Sequence, residues 1–171
     1  MEYSSYYPQI SDVYFIAMAA HSLEELGLDD FEIHIGNLGI IRGILDQADV
    51  EKGFQDIIMA IIDKGEIDEL FKTLNELKID PQTSEILLTL VGLVGHREII
   101  KEAFEIIKNS PESVEALEEL EELLDILEAF GFSNYTVNLG IARGLDYYSG
   151  IVFEIYARRS EERRVGKECR S

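Results

Sequence analysis

The sequence predicts an α+β protein in which an all-helical block interrupts a sheet domain. Three observations carry that prediction. Apolar residues alternate with polar ones near residues 31–35 and again after Asn134, which is the period of a half-buried strand. Between these regions, from about Val50 to Phe132, the apolar positions instead recur at helical spacing in runs rich in Leu, Ile and Glu. Two cap-and-proline pairs, Asp80-Pro81 and Ser110-Pro111, open helices inside that stretch. The expected organisation is residues 1–48 as one part of the sheet domain, 49–133 as a helical insertion, 134–158 as the returning part, and 159–171 as a separate tail.

Ser11 is the expected N-cap of a first helix, DVYFIAMAAHSLEEL, which Gly27 stops. Apolar residues lie nearly all round its first half, so deep burial is expected. FEIHI follows as a strand, with Phe31, Ile33 and Ile35 on one face and Glu32 and His34 on the other. Asn37 is a candidate cap for the next helix, GNLGIIRGIL. The block then reads as VEKGFQDIIMAIIDK ending at Gly65, EIDELFKTLNEL, QTSEILLTLVGLV, REIIKEAFEIIKN, and ESVEALEELEELLDILEAF stopping at Gly131. Two strands close the pattern, YTVNLGIA with Val137, Leu139 and Ile141 on one face, and IVFEIYA with Ile151, Phe153 and Ile155 on one face.

Composition bounds the function. A chain of 171 residues with 46% hydrophobic content and mean hydropathy −0.01 can bury a sizeable core. Its apolar runs are too short for a bilayer, no secretion signal opens it, and the expected location is the cytoplasm. The formal net charge of −19 repels nucleic-acid phosphates, and no basic patch lies upstream of residue 158. The run RSEERRVGKECRS, residues 159–171, reverses that charge trend. It matches a translated sequencing adapter throughout and is expected not to be native. Cys169, the sole cysteine, falls inside it, so no thiol chemistry is implied. His21, His34 and His96 share no metal-ligand spacing, and no metal site is expected.

The chemistry concentrates in RGLDYYSGIVFE, residues 143–154. Arg143, following an apolar strand, can present its planar fork to a carboxylate or phosphate. Asp146 can accept from an amine or orient the arginine. Tyr147 and Tyr148 offer flat walls with a hydroxyl at the rim, and Gly144 and Gly150 free the backbone. Residue types alone admit two readings: a pocket for a small polar ring, or a strand connection with an exposed ion pair and two packing tyrosines.

NLGIARGLDYYSGIVFEIYA resembles the histidine-specific segment of histidyl-tRNA synthetases, R-G-L-D-Y-Y-x-x-x-V-F-E, with every fixed letter present. ISDVYFIAMAAHSLEELGLDDFEIHIGNLGIIRGIL is similar to the helix, strand and helix that follow the second class II signature, in archaeal style. The block occupies the place of the family's helical insertion. The resemblance implies part of a class II antiparallel catalytic sheet, and an enzyme that activates histidine with ATP and transfers it to tRNA(His). It implies that Arg143 stabilises charge at the reacting carboxylate and α-phosphate. Tyr147 and Tyr148 would line the histidine pocket, with Gly144 and Asp146 beside them. Glu2, at nearly the right distance from PQIS, would correspond to an acid that reads the imidazole. ATP, with magnesium, is the implied co-substrate, and a homodimer without membrane attachment the implied assembly. Ser11, Asp12 and Val13 stand where the family often has D-A-E, and Ser149 where threonine is frequent. The ATP-gripping arginine motif would lie upstream, and the last class II motif and anticodon-binding domain downstream. The chain is therefore expected to be an internal fragment, inactive alone. The alternative is the regulatory subunit of ATP phosphoribosyltransferase, a synthetase paralogue that has lost ligase activity. A purely structural helical adaptor would leave the Arg–Asp–Tyr–Tyr cluster unexplained.

Overall fold

The structure, a computed structural model, describes residues 8–28, 30–142 and 150–157. Its elements, in chain order, are α1 (Pro8–Glu25), β1 (Phe31–Asn37), α2 (Leu38–Gln47), α3 (Lys52–Asp63), α4 (Ile67–Glu76), α5 (Pro81–Gly92), β2 (Val94–Gly95), α6 (Ile99–Ile107), α7 (Pro111–Ala129), β3 (Tyr135–Asn138) and β4 (Ile151–Ala157). Helices followed by a returning sheet give the α+β class expected. Among the described residues no helix is long and apolar enough to cross a membrane.

The strands form one sheet in the order β2-β3-β1-β4. It is mixed rather than wholly antiparallel. β1 pairs antiparallel with β4, Ile33 opposite Ile155 and Ile35 opposite Phe153. It pairs parallel with β3, Ile33 opposite Tyr135 and Ile35 opposite Val137. Two parallel neighbours need a crossover, and everything from α2 to α7 supplies it. β2 was not anticipated: two residues after α5 carry too little periodicity to read as a strand, yet they pair with Asn138 and Val137. β3 is also shorter than the run YTVNLGIA suggests, because the chain turns after Asn138.

One face of the sheet is apolar. Ile33, Ile35, Val137 and Tyr135 are buried there against helices, with α7 touching α1, α2, α6 and β1. Leu117, Leu120, Leu123, Leu124 and Leu127 make α7 the axis of a single core that also takes in Leu70 and Leu74 of α4 and Leu87 and Leu90 of α5. At Gly43 α2 comes so close to α7 that a Cβ would lie 2.4 Å from Ser113 Oγ and 2.6 Å from its nitrogen. Ser113 Oγ donates instead to the Ile40 carbonyl at 2.8 Å.

The caps are mostly those expected. Asp80 Oδ1 accepts from Thr83 N at 2.9 Å, with Pro81 at the first turn. Asn37 Oδ1 accepts from Gly39 N at 2.9 Å. Gly27, Gly65 and Gly131 end helices with φ of 73°, 70° and 83°, in the left-handed region that glycine tolerates. Two expectations are corrected. Ser110 makes no side-chain cap; its hydroxyl pairs with that of Ser113 inside the core. α1 starts at Pro8 rather than after Ser11, and of its residues from 11 onward only Val13, Ile16 and Ala20 are buried. Tyr14, Phe15 and Met18 stay 65%, 58% and 60% exposed, because α7 covers one side of the helix and no described element covers the other.

Candidate functional site

The described chain on either side of residues 143–149 is held by hydrogen bonds and close packing. On its upstream side, Leu139 N donates to Leu93 O at 3.0 Å, and Gly140 N to Asn138 Oδ1 at 3.0 Å. Ile141 N then reaches back to Asn138 O at 3.4 Å. That turn lifts the chain off the sheet edge and lays it over β1. At Gly36 a Cβ would meet Ile141 Cγ2 at 2.3 Å and Asn138 O at 2.4 Å. A Cβ at Gly140 would meet the Val91 carbonyl oxygen at 2.3 Å. Leu139, Ile141 and Ala142 are buried. On the downstream side, the Gly150 carbonyl accepts from Leu38 N at 3.0 Å, at the first turn of α2, and β4 begins at Ile151.

Arg143, Gly144, Asp146, Tyr147 and Tyr148 lie between these anchors, outside the described residues, as does Glu2 near the start of the chain. Gly36 faces away from the helices, so Ile141 lies on the second, polar face of the sheet. Alternation along the paired strands puts Glu32, His34, Thr136, Asn138, Glu154 and Tyr156 on that face. Thr136 Oγ1 donates to Glu32 Oε1 at 2.6 Å, and His34 Nε2 lies 3.3 Å from the same oxygen. His34 Nδ1 stands 3.4 Å from Asn138 Nδ2, and the His34 ring meets the Tyr156 ring at 4.6 Å between centroids. Tyr156 donates to Glu154, the acid of the V-F-E triplet. The result is a cross-strand row of donors and acceptors able to orient a small polar ligand. Reasoning from the sequence placed His34 on the polar side of a half-buried strand, and missed its partners. The signal was present in the second face of each alternating strand, but the register that aligns the faces was not.

The opposite face holds a groove of about 610 Å³ between α1 and β4, lined by Asp12, Phe15, Met18, Ala19, Ser22, Ile151 and Phe153. Burial pushes the Asp12 carboxyl above its usual range. It sits on the helix-covered side of β4, away from the polar row.

Residues 9–166 match the family model described as histidyl-tRNA synthetase. The histidine–tRNA ligase of Methanocaldococcus jannaschii is 37% identical over 157 residues, which cover 92% of this chain and 36% of that protein. The ATP phosphoribosyltransferase regulatory subunit of Desulforamulus reducens is 33% identical over 147 residues, covering 85% of this chain and 36% of that one. Among solved structures, an ATP phosphoribosyltransferase regulatory subunit/histidyl-tRNA synthetase from Bacillus halodurans C superposes with a TM-score of 0.79 at 26% identity, over 88% of this chain and 40% of its own. The chain thus spans about 36% of the length of the two relatives. With nearly its whole length inside the family model, this chain belongs to the histidyl-tRNA synthetase family.

Proposed function

We propose that this chain is part of a histidine–tRNA ligase, and that residues 143–148 are its histidine-recognition segment. In that reaction a histidine carboxylate oxygen attacks the α-phosphorus of ATP, pyrophosphate leaves, and the adenylate then yields its histidyl group to tRNA. Arg143 would neutralise charge gathering on the carboxylate and α-phosphate as the new bond forms. Tyr147 and Tyr148 would wall the imidazole, with Asp146 and Gly144 beside them and Glu2 reading a ring nitrogen. ATP, with magnesium on its phosphates, would be the co-substrate. The enzyme would work as a cytoplasmic homodimer, and the 171-residue chain alone would be inactive for want of the rest of the ATP site.

The observation that carries this reading is the complete Arg-Gly-Leu-Asp-Tyr-Tyr run in a chain that matches the family model over residues 9–166. The second reading, a regulatory subunit of ATP phosphoribosyltransferase, is favoured by the relative at 33% identity. One pair of assays on the full-length protein separates them. Histidine-dependent ATP–pyrophosphate exchange, falling about 100-fold or more in Arg143→Ala, is expected of the ligase. No exchange, together with stimulation of a catalytic ATP phosphoribosyltransferase subunit, would establish the regulatory role instead.

A further inference from the structure

We propose that α3 and α4 form a hairpin that leaves the rest of the fold as one unit, swinging on Asp49 and Lys78, and so opens the groove that its two connections line. This motion does not depend on the ligase reading.

Five helices, α1, α2, α3, α4 and α7, end in the same way. The residue after the cap turns into the left-handed region and donates to the carbonyl three residues back, and the next N–H reaches five residues back. At Gly27, Gly65 and Gly131 glycine takes that conformation freely. Among the described residues only Asp49 and Lys78, both with φ of 56°, take it with a side chain. Asp49 N donates to Asp46 O and Val50 N to Leu45 O, each at 3.0 Å. Lys78 N donates to Asn75 O at 3.0 Å and Ile79 N to Leu74 O at 3.1 Å. Left-handed backbone strains a residue that carries a Cβ, lysine more than aspartate. Among the described residues neither side chain has a hydrogen bond or ion pair to offset that strain.

The two strained residues sit together. Asp49 lies on the connection into the α3–α4 pair and Lys78 on the connection out of it. Both line one groove of about 430 Å³ with Val50, Phe54, Leu77 and Ile79. The seat of the pair is imperfect as well. α3 packs on α4 and α4 on α5, but polar groups tie α3 to α2. Arg42 Nη2 donates to Asp56 Oδ1 at 3.1 Å, and Gln55 Nε2 to Asp46 Oδ1 at 2.6 Å. Gln55 is fully buried, yet its Oε1 and the buried Nε of Arg42 have no hydrogen-bond partner. Such atoms disfavour the closed form and regain water when the seat opens. α2 and α7, by contrast, meet at Gly43 too closely to admit a methyl. Strain at both turns and unpaired groups at the seat therefore fall on the boundary of one hairpin, where a unit of low local stability divides from a core. Swinging carries Phe54 and Leu77 away from Val50 and Ile79 and widens the groove.

Native-state hydrogen exchange of the 171-residue chain, at low urea and read by mass spectrometry, tests the motion. Helices of 12 and 10 residues hold their amides poorly once undocked, so opening registers as exchange. The amides of α3 and α4 are expected to exchange together, about 100-fold faster than the slowest amides of α7. Asn37→Ala, which weakens the hold of α2 on α7, should speed α7 about 30-fold and leave α3 and α4 unmoved, because that contact survives in the open form. Lys78→Gly keeps the turn without its strain and should slow α3 and α4 about fivefold. Exchange of α3 and α4 only in step with α7, or at rates separate from each other, overturns the proposal, as does the absence of any response to Lys78→Gly.

Discussion

Replacing Asn37 with alanine should lower stability by about 2 kcal/mol. The side chain is 2% exposed and works in two directions. Its Oδ1 caps α2 through Gly39 N at 2.9 Å, a contact whose loss costs about 1 kcal/mol. Its Nδ2 crosses to α7, donating to Ala116 O at 2.8 Å and to Glu119 Oε2 at 3.2 Å, worth about another 1 kcal/mol. No penalty for an orphaned carbonyl is added, since Ala116 lies inside α7 and its oxygen keeps its place in the helical ladder. For a chain of this size 2 kcal/mol corresponds to a fall in Tm of about 4–8 °C. Urea unfolding followed by far-ultraviolet circular dichroism measures it, with the midpoint shifting and the slope m unchanged. Asn37→Ser keeps the cap but cannot reach Ala116, so it should recover about half. Asn37→Asp also keeps the cap, but turns a carboxylate toward Glu119 and a carbonyl, and should fall below serine. A loss under about 0.5 kcal/mol for alanine, or serine no better than alanine, refutes the two-way role.

Gly43→Ala should cost about 3 kcal/mol by forcing α2 off Ser113, whereas Gly53→Ala, in open space on α3, should gain about 0.5 kcal/mol; paired urea midpoints decide both. Tyr135 should titrate late: burial, and then the Glu128 carboxylate to which its hydroxyl donates at 2.5 Å, push the phenol up to about 12. A raised folded pKa means that its contribution is complete below the ordinary value of 10.0 and is lost as pH climbs toward 12; ultraviolet difference titration, and loss of that alkaline slope in Tyr135→Phe, check the sign. Asp12→Asn should stabilise the chain at neutral pH, because the partly buried carboxylate is held in a form its surroundings disfavour, and the gain should vanish in acid when Asp12 is protonated.

The helices were legible because each signal was local. Asp80-Pro81 fixed the start of α5, and Asn37 that of α2, from side chains within three residues of the amides they serve. What the sequence hid was non-local. Nothing in FEIHI says that its left and right neighbours run in opposite senses, and nothing in VG says that two residues suffice to close an edge. α1 was misjudged for the same reason: a helix apolar on several sides says that it is to be covered, not by what. For the candidate site, the letters of the motif stood out by type, while Gly36, 107 residues upstream of Arg143, showed its part only when Ile141 was seen lying on it.

The parallel seam between β1 and β3 has a consequence for how the chain acquires its shape. Ile33 and Tyr135 become neighbours only after a loop of about a hundred residues has closed, an entropic toll that local helices do not face. Helices α3 to α7 can form early, since each packs on its neighbour in sequence, and α7 then docks on α2 and β1 and brings the start of β3 to its place. Sheet closure becomes the late event of folding, and β4, which pairs with β1 across an even longer stretch of chain, is placed with it.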